Sequence, residues 1–234
     1  MTVVRPPEYL PRLPVAALLL RAERVVLADT FAFSRQGAQN RARVQTAAGP
    51  RWLSVPRRHV GETTAICALP VLRDGWRRRH LQTVRAAYGM APFVDHYLPD
   101  LEALLAEPPA TLAALSVAAT RWAARRLGAT CEVGVASALP GAPATLPNVW
   151  AAAGRGALLT LPESAAREAA ALPGVEIRVL RFREVPRRQV FEPFAPDCCV
   201  LDLLMNYGPR AADWLAEHTE VDASADARAR QPAP

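Results

Sequence analysis

The order of apolar segments along the chain restricts its fold more than any other feature. Residues 157–160 predict a strand, residues 163–171 a helix, and the alternating residues 175–179 a second strand. A strand, a helix and a strand at this spacing require a parallel crossover. The chain therefore belongs to the α/β class, and its sheet should be mainly parallel.

The N-terminal part repeats this order and then adds a hairpin. A helix is predicted between two short strands, and a Gly-Pro turn separates the two halves of the hairpin. The predicted segments are a strand at Val3 and Val4, a helix at 15–22, a strand at 25–28, the hairpin at 44–55 with Gly49 and Pro50 in its turn, and a short strand at 65–68.

The middle and the end of the chain are mostly helical by pattern. We expect helices at 74–87, 93–105, 112–127 (with Thr111 as N-cap), 199–207 and 209–216. The organisation predicted is one domain, residues 1–221, with a helical insertion at about 74–127. Its architecture should resemble three layers. The sheet should be mixed and mainly parallel, and a β-hairpin should accompany it. Residues 222–234 are polar and rich in Ala and Arg, which predicts a disordered tail.

Composition narrows the function classes. The chain has 234 residues, 51% of them hydrophobic, which is enough to bury a core. All 28 basic residues are Arg, which excludes a Lys Schiff base and a P-loop Lys. Aromatic residues make up only 6% and no nucleic-acid module is present, so no nucleic-acid partner is predicted. The apolar runs are too short to span a membrane. The first residues also show no signal-peptide features, so a cytoplasmic protein is predicted.

Standard catalytic signatures are missing, and neither the cysteines nor the histidines have metal-ligand spacing, so no metal and no cofactor are predicted. His80 is the candidate general base, one helical turn from Trp76. The alternative is a helix histidine without a role. The adjacent run Arg77, Arg78 and Arg79 predicts a solvated helix face rather than a nucleic-acid-binding surface.

The segment 29–44 leaves an apolar strand and presents Asn40, Arg41 and Arg43 just before the hairpin. Open α/β folds bind ligands at strand ends, and Arg and Asn side chains donate hydrogen bonds to anions and carbonyls. This segment therefore predicts a site for an anion or a polar substrate.

Four blocks of residues, in order over nearly the whole chain, carry a resemblance to the WbqC-like protein family. They are 7–11, 27–44 with 52–56, 76–93, and Gln189 with 194–209. The resemblance implies an acyl or aminoacyl transferase of polysaccharide (O-antigen) or natural-product biosynthesis in bacteria. It would form an amide between the acyl group of a carrier thioester and an amino sugar or another amine. A small-molecule amine and an acyl carrier protein are the partners implied.

On this interpretation His80 is the base, Asn40 and Arg41 hold the oxyanion or a phosphate, and Asp202 completes the catalytic set. Arg77 to Arg79 would meet the carrier. The substrate-binding candidates are Tyr9, Asp29, Arg43, Trp76, Tyr88, Gln189 and Asn206. These roles require one shared concave surface for Asn40, Arg41, Arg43, His80, Asp202 and Asn206.

Two other interpretations stay open. The strand-loop-helix-strand start is similar to nucleotidyltransferases, which would need a nucleotide site at 9–14, although prolines there remove backbone donors. The chain would otherwise be a non-catalytic relative that binds a sugar or a partner protein. Ala32 and Ala38 favour this, because they stand where the family has a Gln and an aromatic residue.

Overall fold

The structure is a computed structural model, and it describes residues 1–58, 63–107 and 109–222. Within these ranges, no helix is both long enough and apolar enough to cross a membrane.

A six-stranded sheet forms the centre of the fold, in the order β5-β2-β1-β6-β7-β8. Every neighbouring pair in it is parallel except β7 with β8. The strands are β1 (Thr2–Arg5), β2 (Arg24–Leu27), β5 (Glu132–Val135), β6 (Leu158–Thr160), β7 (Ile177–Phe182) and β8 (Thr219–Asp222). A separate antiparallel hairpin contains β3 (Arg41–Val44) and β4 (Arg51–Ser54). The predicted fold class is confirmed.

Helices cover both faces of the sheet. They are α1 (Leu13–Arg21), α2 (Trp76–Tyr88), α3 (Val94–Leu104), α4 (Leu112–Arg126), α5 (Leu146–Ala153), α6 (Pro162–Ala171), α7 (Val200–Tyr207) and α8 (Ala211–Glu217). Successive strand residues point to opposite faces. Val3 therefore joins the larger core with α1, α4 and α7, whereas Val4 joins the smaller core with α5. This arrangement is the three-layer architecture expected.

Several predicted elements need correction. Residues 65–68, predicted as a strand, form a short 3-10 helix at Ile66–Ala68, because Ala68 and Leu69 donate to carbonyls three residues back. The sequence analysis missed β5, α5 and β8. Strand β8 includes Asp222, the first residue of the predicted tail, and residues 223–234 lie outside the described residues.

The strand order places a ligand-binding position between β1 and β6. From β1 the chain continues to β2 on one side, whereas β6 continues to β7 on the other side. Parallel sheets bind ligands at such a switch point, in the crevice beyond the carboxyl ends of the strands. Arg5 ends β1 at this position, and α6 begins there directly after β6.

Candidate functional site

A cleft of about 600 Å³ opens at this switch point, and we call it the switch-point cleft. One wall comes from the sheet and α6, and the other comes from the hairpin and the loop before it. Its volume suits a small organic substrate. The charged and aromatic residues that line it are Arg5, Glu8, Arg12, Arg41, Arg43, Trp52, Glu163, Arg167, Glu168 and Asp197.

Strand alternation aims the hairpin side chains. Ala42 and Val44 point into the core, so Arg41 and Arg43 point outward into the cleft. Trp52 lies opposite Arg43 across the strand pair, and the Arg41 guanidinium stacks 4.6 Å from the centre of its ring. The hairpin therefore presents two cations and a half-exposed indole on one surface.

The cations of the cleft are only partly neutralised. Arg5 lies 3.9 Å from Glu163, and Arg43 lies 3.5 Å from Asp197, in each case a carboxylate that is mostly exposed. Arg41 has no carboxylate partner within the described ranges, and one of its nitrogens donates to the Gln36 carbonyl at 3.0 Å. Both ion pairs are long and their carboxylates are exposed to solvent, so an incoming anion can replace these carboxylates.

Two buried donors in the cleft make no hydrogen bond. The Nε atoms of Arg5 and Arg41 are buried, and neither has an acceptor among the residues described. Leaving a buried donor unpaired costs about 1–3 kcal/mol. An anion with several oxygens is the ligand that satisfies such guanidinium donors.

Glu8 and Arg12 form a closed pair on the cleft floor. Glu8 accepts hydrogen bonds from Arg12 N at 2.9 Å, Nε at 3.0 Å and Nη2 at 2.9 Å. The nearby carboxylate of Glu8 raises the pKa of Arg12. Glu8 lies in the loop before α1, and its carboxylate accepts a hydrogen bond from the amide of Arg12, the N-cap residue. The carboxylate therefore occupies the end of the helix that would otherwise attract a phosphate.

His80 lies inside the protein, in a cluster with Tyr9 and Trp76. Its Nδ1 is 3.1 Å from the Tyr9 hydroxyl, and its ring packs edge-on to Trp76 at 4.9 Å. Burial lowers the pKa of His80 to about 4, although a hydrogen bond to the Ser54 backbone offsets part of that shift. Burial also raises the pKa of Tyr9. This cluster joins α2 to the loop before α1.

Asp202 belongs to a second buried network. Its Oδ2 accepts from Arg187 Nη2 at 3.0 Å and from Gln189 Nε2 at 3.0 Å, while Oδ1 accepts from the Tyr88 hydroxyl at 3.2 Å. The Arg187 and Asp202 side chains are fully buried. Burial raises the pKa of Asp202, and the Arg187 guanidinium counteracts it. The network fastens the segment after β7 to α7 and α2.

Three further candidates hold local structure. Asn40 donates to the Val55 carbonyl at 3.0 Å and closes the base of the hairpin. Asn206 donates to the Asp202 carbonyl at 2.8 Å within α7. Asp29 accepts from the Ser137 amide at 2.9 Å and from its hydroxyl at 2.6 Å, beside a different cavity at the ends of β2 and β5.

The structure thus separates the predicted residues. Of the six expected on one concave surface, Arg41 and Arg43 line the cleft, and the others do not. His80, Asp202 and Asn206 are buried, whereas Asn40 faces the hairpin base. Their predicted roles stay predictions. The sequence analysis missed Arg5, Glu8, Arg12, Glu163, Arg167, Glu168 and Asp197. The sequence places Arg5 directly after an apolar strand. This position indicates a cleft residue only when the pairing of β1 with β6 is known.

A comparison with models of protein families decides the assignment. The model of the WbqC-like protein family matches residues 6–214, nearly the whole chain. The chain belongs to the WbqC-like protein family. The resemblance found in the sequence is confirmed. No curated protein and no solved structure matches the chain.

Three of the four family blocks contribute residues to the switch-point cleft of this WbqC-like protein. The block at 7–11 is the loop from β1 to α1, and the block at 27–44 runs from the end of β2 into the hairpin. The block at 194–209 includes α7 and the loop that brings Asp197 to the cleft. The Cys199 amide donates to the Arg43 carbonyl at 2.9 Å, which ties the last block to the hairpin.

Proposed function

We propose that this WbqC-like protein is an acyl or aminoacyl transferase that binds an anionic part of its substrate in the switch-point cleft. It transfers the acyl group from a carrier thioester to an amino sugar or another amine in polysaccharide or natural-product biosynthesis, in the cytoplasm. The observation that supports this most directly is the pair of buried, unpaired guanidinium donors of Arg5 and Arg41 at the switch point.

A phosphate fits this cleft well. Carrier thioesters are linked to their protein through a phosphate-bearing arm, and guanidinium groups bind phosphate oxygens in fork geometry. The half-exposed Trp52 beside Arg41 offers a flat apolar surface for the rest of the arm or for a sugar ring. Arg43, on the same face, is available to donate to the oxyanion that forms when the amine attacks.

The carrier protein would dock on the outer face of α2. Arg77 donates to the Leu105 carbonyl at 2.7 Å, and Arg79 pairs with Asp74 at 3.0 Å. Both side chains are therefore committed to contacts within the chain. The exposed Arg73 and Arg78 line one groove of this face and are the better candidates to attract an acidic carrier.

The first test separates binding from transfer. Calorimetry with inorganic pyrophosphate should show binding to the wild type and at least a 10-fold weaker Kd for Arg41→Gln, since a charge-assisted contact contributes about 1.5–3 kcal/mol. Arg210→Gln changes an exposed arginine outside the cleft and should bind as the wild type does. Equal binding by wild type and Arg41→Gln would contradict an anion site in the cleft.

Transfer is then measured with acetyl phosphopantetheine as donor and an amino sugar as acceptor. The amide product is quantified by mass spectrometry. Amide formation by the wild type, lost in Arg41→Gln, supports the transferase. Pyrophosphate binding without amide formation would instead favour a non-catalytic binding protein, which Ala38 in the cleft wall favours. The nucleotidyltransferase interpretation loses support, because Glu8 already occupies the start of α1.

A further inference from the structure

Among the residues that the structure describes, Glu168 is the one strongly buried carboxylate of the cleft that is not held by a close ion pair. It lies on α6, where Ser164 and Glu168, one turn apart, form the buried face toward the cleft. Its side chain is 8% exposed, and its nearest cation, Arg167 on the outer face, is 3.9 Å away. Within the described ranges, Glu168 Oε2 is buried and has no hydrogen-bond partner at bonding geometry.

The surroundings of Glu168 favour a basic carboxylate. Burial raises the pKa of Glu168, and the hydroxyl of Thr160 at the end of β6 offsets part of that rise. The charges of Arg5 and Arg167 and the hydroxyl of Ser164 offset it further. A carboxylate with a raised pKa is a stronger proton acceptor, and such groups in a cleft are typical of catalytic sites.

The other acid-base candidates are less suited. Glu8 is saturated by three bonds from Arg12. Glu163 and Asp197 lie at the rim, where their side chains are 56% and 73% exposed. His80 lies outside the cleft, with its ring engaged by Tyr9 and the Ser54 backbone.

We propose that Glu168 is the general base of the transfer reaction, accepting the proton of the attacking amine. This rests on the proposed function. The amine nitrogen forms a bond to the thioester carbonyl carbon, and the carbon-sulfur bond breaks. The nitrogen proton passes to the Glu168 carboxylate and from there to the departing thiolate. The products are an amide and a free thiol, and Glu168 is ionised again, so no other reactant is consumed.

The test compares Glu168→Gln with Glu176→Gln, which makes the same chemical change at a half-exposed position outside the cleft. General-base catalysis contributes about 10²–10⁴-fold, so kcat of Glu168→Gln should fall at least 100-fold. KM for acetyl phosphopantetheine and the affinity for pyrophosphate should change less than 3-fold. Glu176→Gln should keep kcat within 3-fold of the wild type.

A second readout is the pH profile, with Glu168→Asp as the conservative variant. The acidic limb of kcat against pH should be present in the wild type, remain at lower kcat in Glu168→Asp, and be absent in Glu168→Gln. The other charged groups of the cleft stay the same in both Glu168 variants, and they are Arg5, Arg12, Arg41, Arg43, Arg167, Glu8, Glu163 and Asp197.

The outcomes distinguish this proposal from the proposed function. Wild-type transfer with an unchanged kcat in Glu168→Gln overturns the role of Glu168 alone. Pyrophosphate binding by the wild type without any amide product overturns the transfer reaction, and the base with it. If Glu168→Gln fails to fold by circular dichroism, Glu168→Asp decides: an acidic limb identical in position and height to that of the wild type overturns the proposal.

Discussion

His80 shows how a polar side chain can serve the core. It lies between Tyr9 and Trp76, and its Nδ1 is within hydrogen-bond distance of the Tyr9 hydroxyl. A neutral imidazole satisfies this site, whereas a protonated ring would place a charge among aromatic side chains. The residue therefore links the protonation state of the chain to its stability.

We predict that stability depends on pH through His80. Because its pKa is lowered from 6.5 to about 4, the unfolded chain takes up this proton first as the pH falls. The contribution of neutral His80 to the free energy of unfolding is complete above pH 6.5. It declines between pH 6.5 and about 4 by up to about 3 kcal/mol. Urea denaturation at several pH values should show this fall in the free energy of unfolding. His80→Gln should lower the free energy of unfolding at pH 7 and make it depend less on pH.

The exposed His96 provides the control for this prediction. His96→Gln should keep the slope of the wild type, since His96 is an exposed residue that packs against Tyr97, outside the cluster of Tyr9, His80 and Trp76. A slope in His80→Gln as steep as that of the wild type would show that other groups cause the pH dependence.

Among the helices, the junction between α7 and α8 depends on a single glycine. Gly208 has a φ of 58°, and a Cβ atom built there would lie 2.5 Å from the ring of Phe93 at the start of α3. The same position thus requires both an unusual backbone conformation and the absence of a side chain.

We predict that Gly208→Ala destabilises the protein by about 2–4 kcal/mol, from positive-φ strain and from the clash with Phe93. The matched control is Gly128→Ala after α4, where φ is 70° and nothing lies within 4 Å of the added Cβ. That variant should lose only about 1–2 kcal/mol. Chemical denaturation measures both, and equal losses would show that contact with Phe93 is unimportant.

The sequence predicted long, patterned elements well and weak ones poorly. The unit β6-α6-β7 is found because Val175, Ile177 and Val179 alternate clearly. Strand β5 is missed because Gly134 interrupts it and its residues are only partly buried. Helix α5 is missed because Pro140, Gly141, Pro143 and Pro147 give the residues around its start the composition of a loop. Both elements are stabilised by packing against the sheet and the helices, and a local sequence pattern does not show such packing.

At the scale of the whole molecule, one sheet carries two cores. Leu18 of α1 belongs to the larger core and Val149 of α5 to the smaller one, and both side chains are completely buried. The strands contribute alternate residues to each core, so neither layer can lose its packing without exposing the sheet.

We therefore predict one cooperative unfolding transition for the whole described chain, as the single-domain prediction requires. Leu18→Ala should cost about 2–5 kcal/mol and Val149→Ala about 2 kcal/mol. Each should shift the midpoint equally by circular dichroism and by tryptophan fluorescence. Leu72→Ala, at a half-exposed position, should change little. Two separate transitions, or a probe-dependent shift, would indicate two independent units.

The site was less predictable than the fold for a physical reason. Polarity and order in the sequence identify Arg41 and Arg43, because a hairpin with alternating residues must expose one face. They cannot reveal that Asp202 is matched by Arg187, or that Glu168 faces a cleft formed by β1 and β6. Such facts depend on which strands become neighbours, and these are far apart along the chain.

The hairpin is not continuous with the main sheet, and this has an evolutionary consequence. One wall of the cleft belongs to the main sheet and α6, whereas the opposite wall exposes Arg41, Arg43 and Trp52 from a separate two-stranded ribbon. The core contacts of this ribbon come from Ala42, Val44 and Leu53, so the outward positions can change without replacing a core side chain. Relatives can therefore acquire new substrate preferences by altering this ribbon while inheriting the same scaffold.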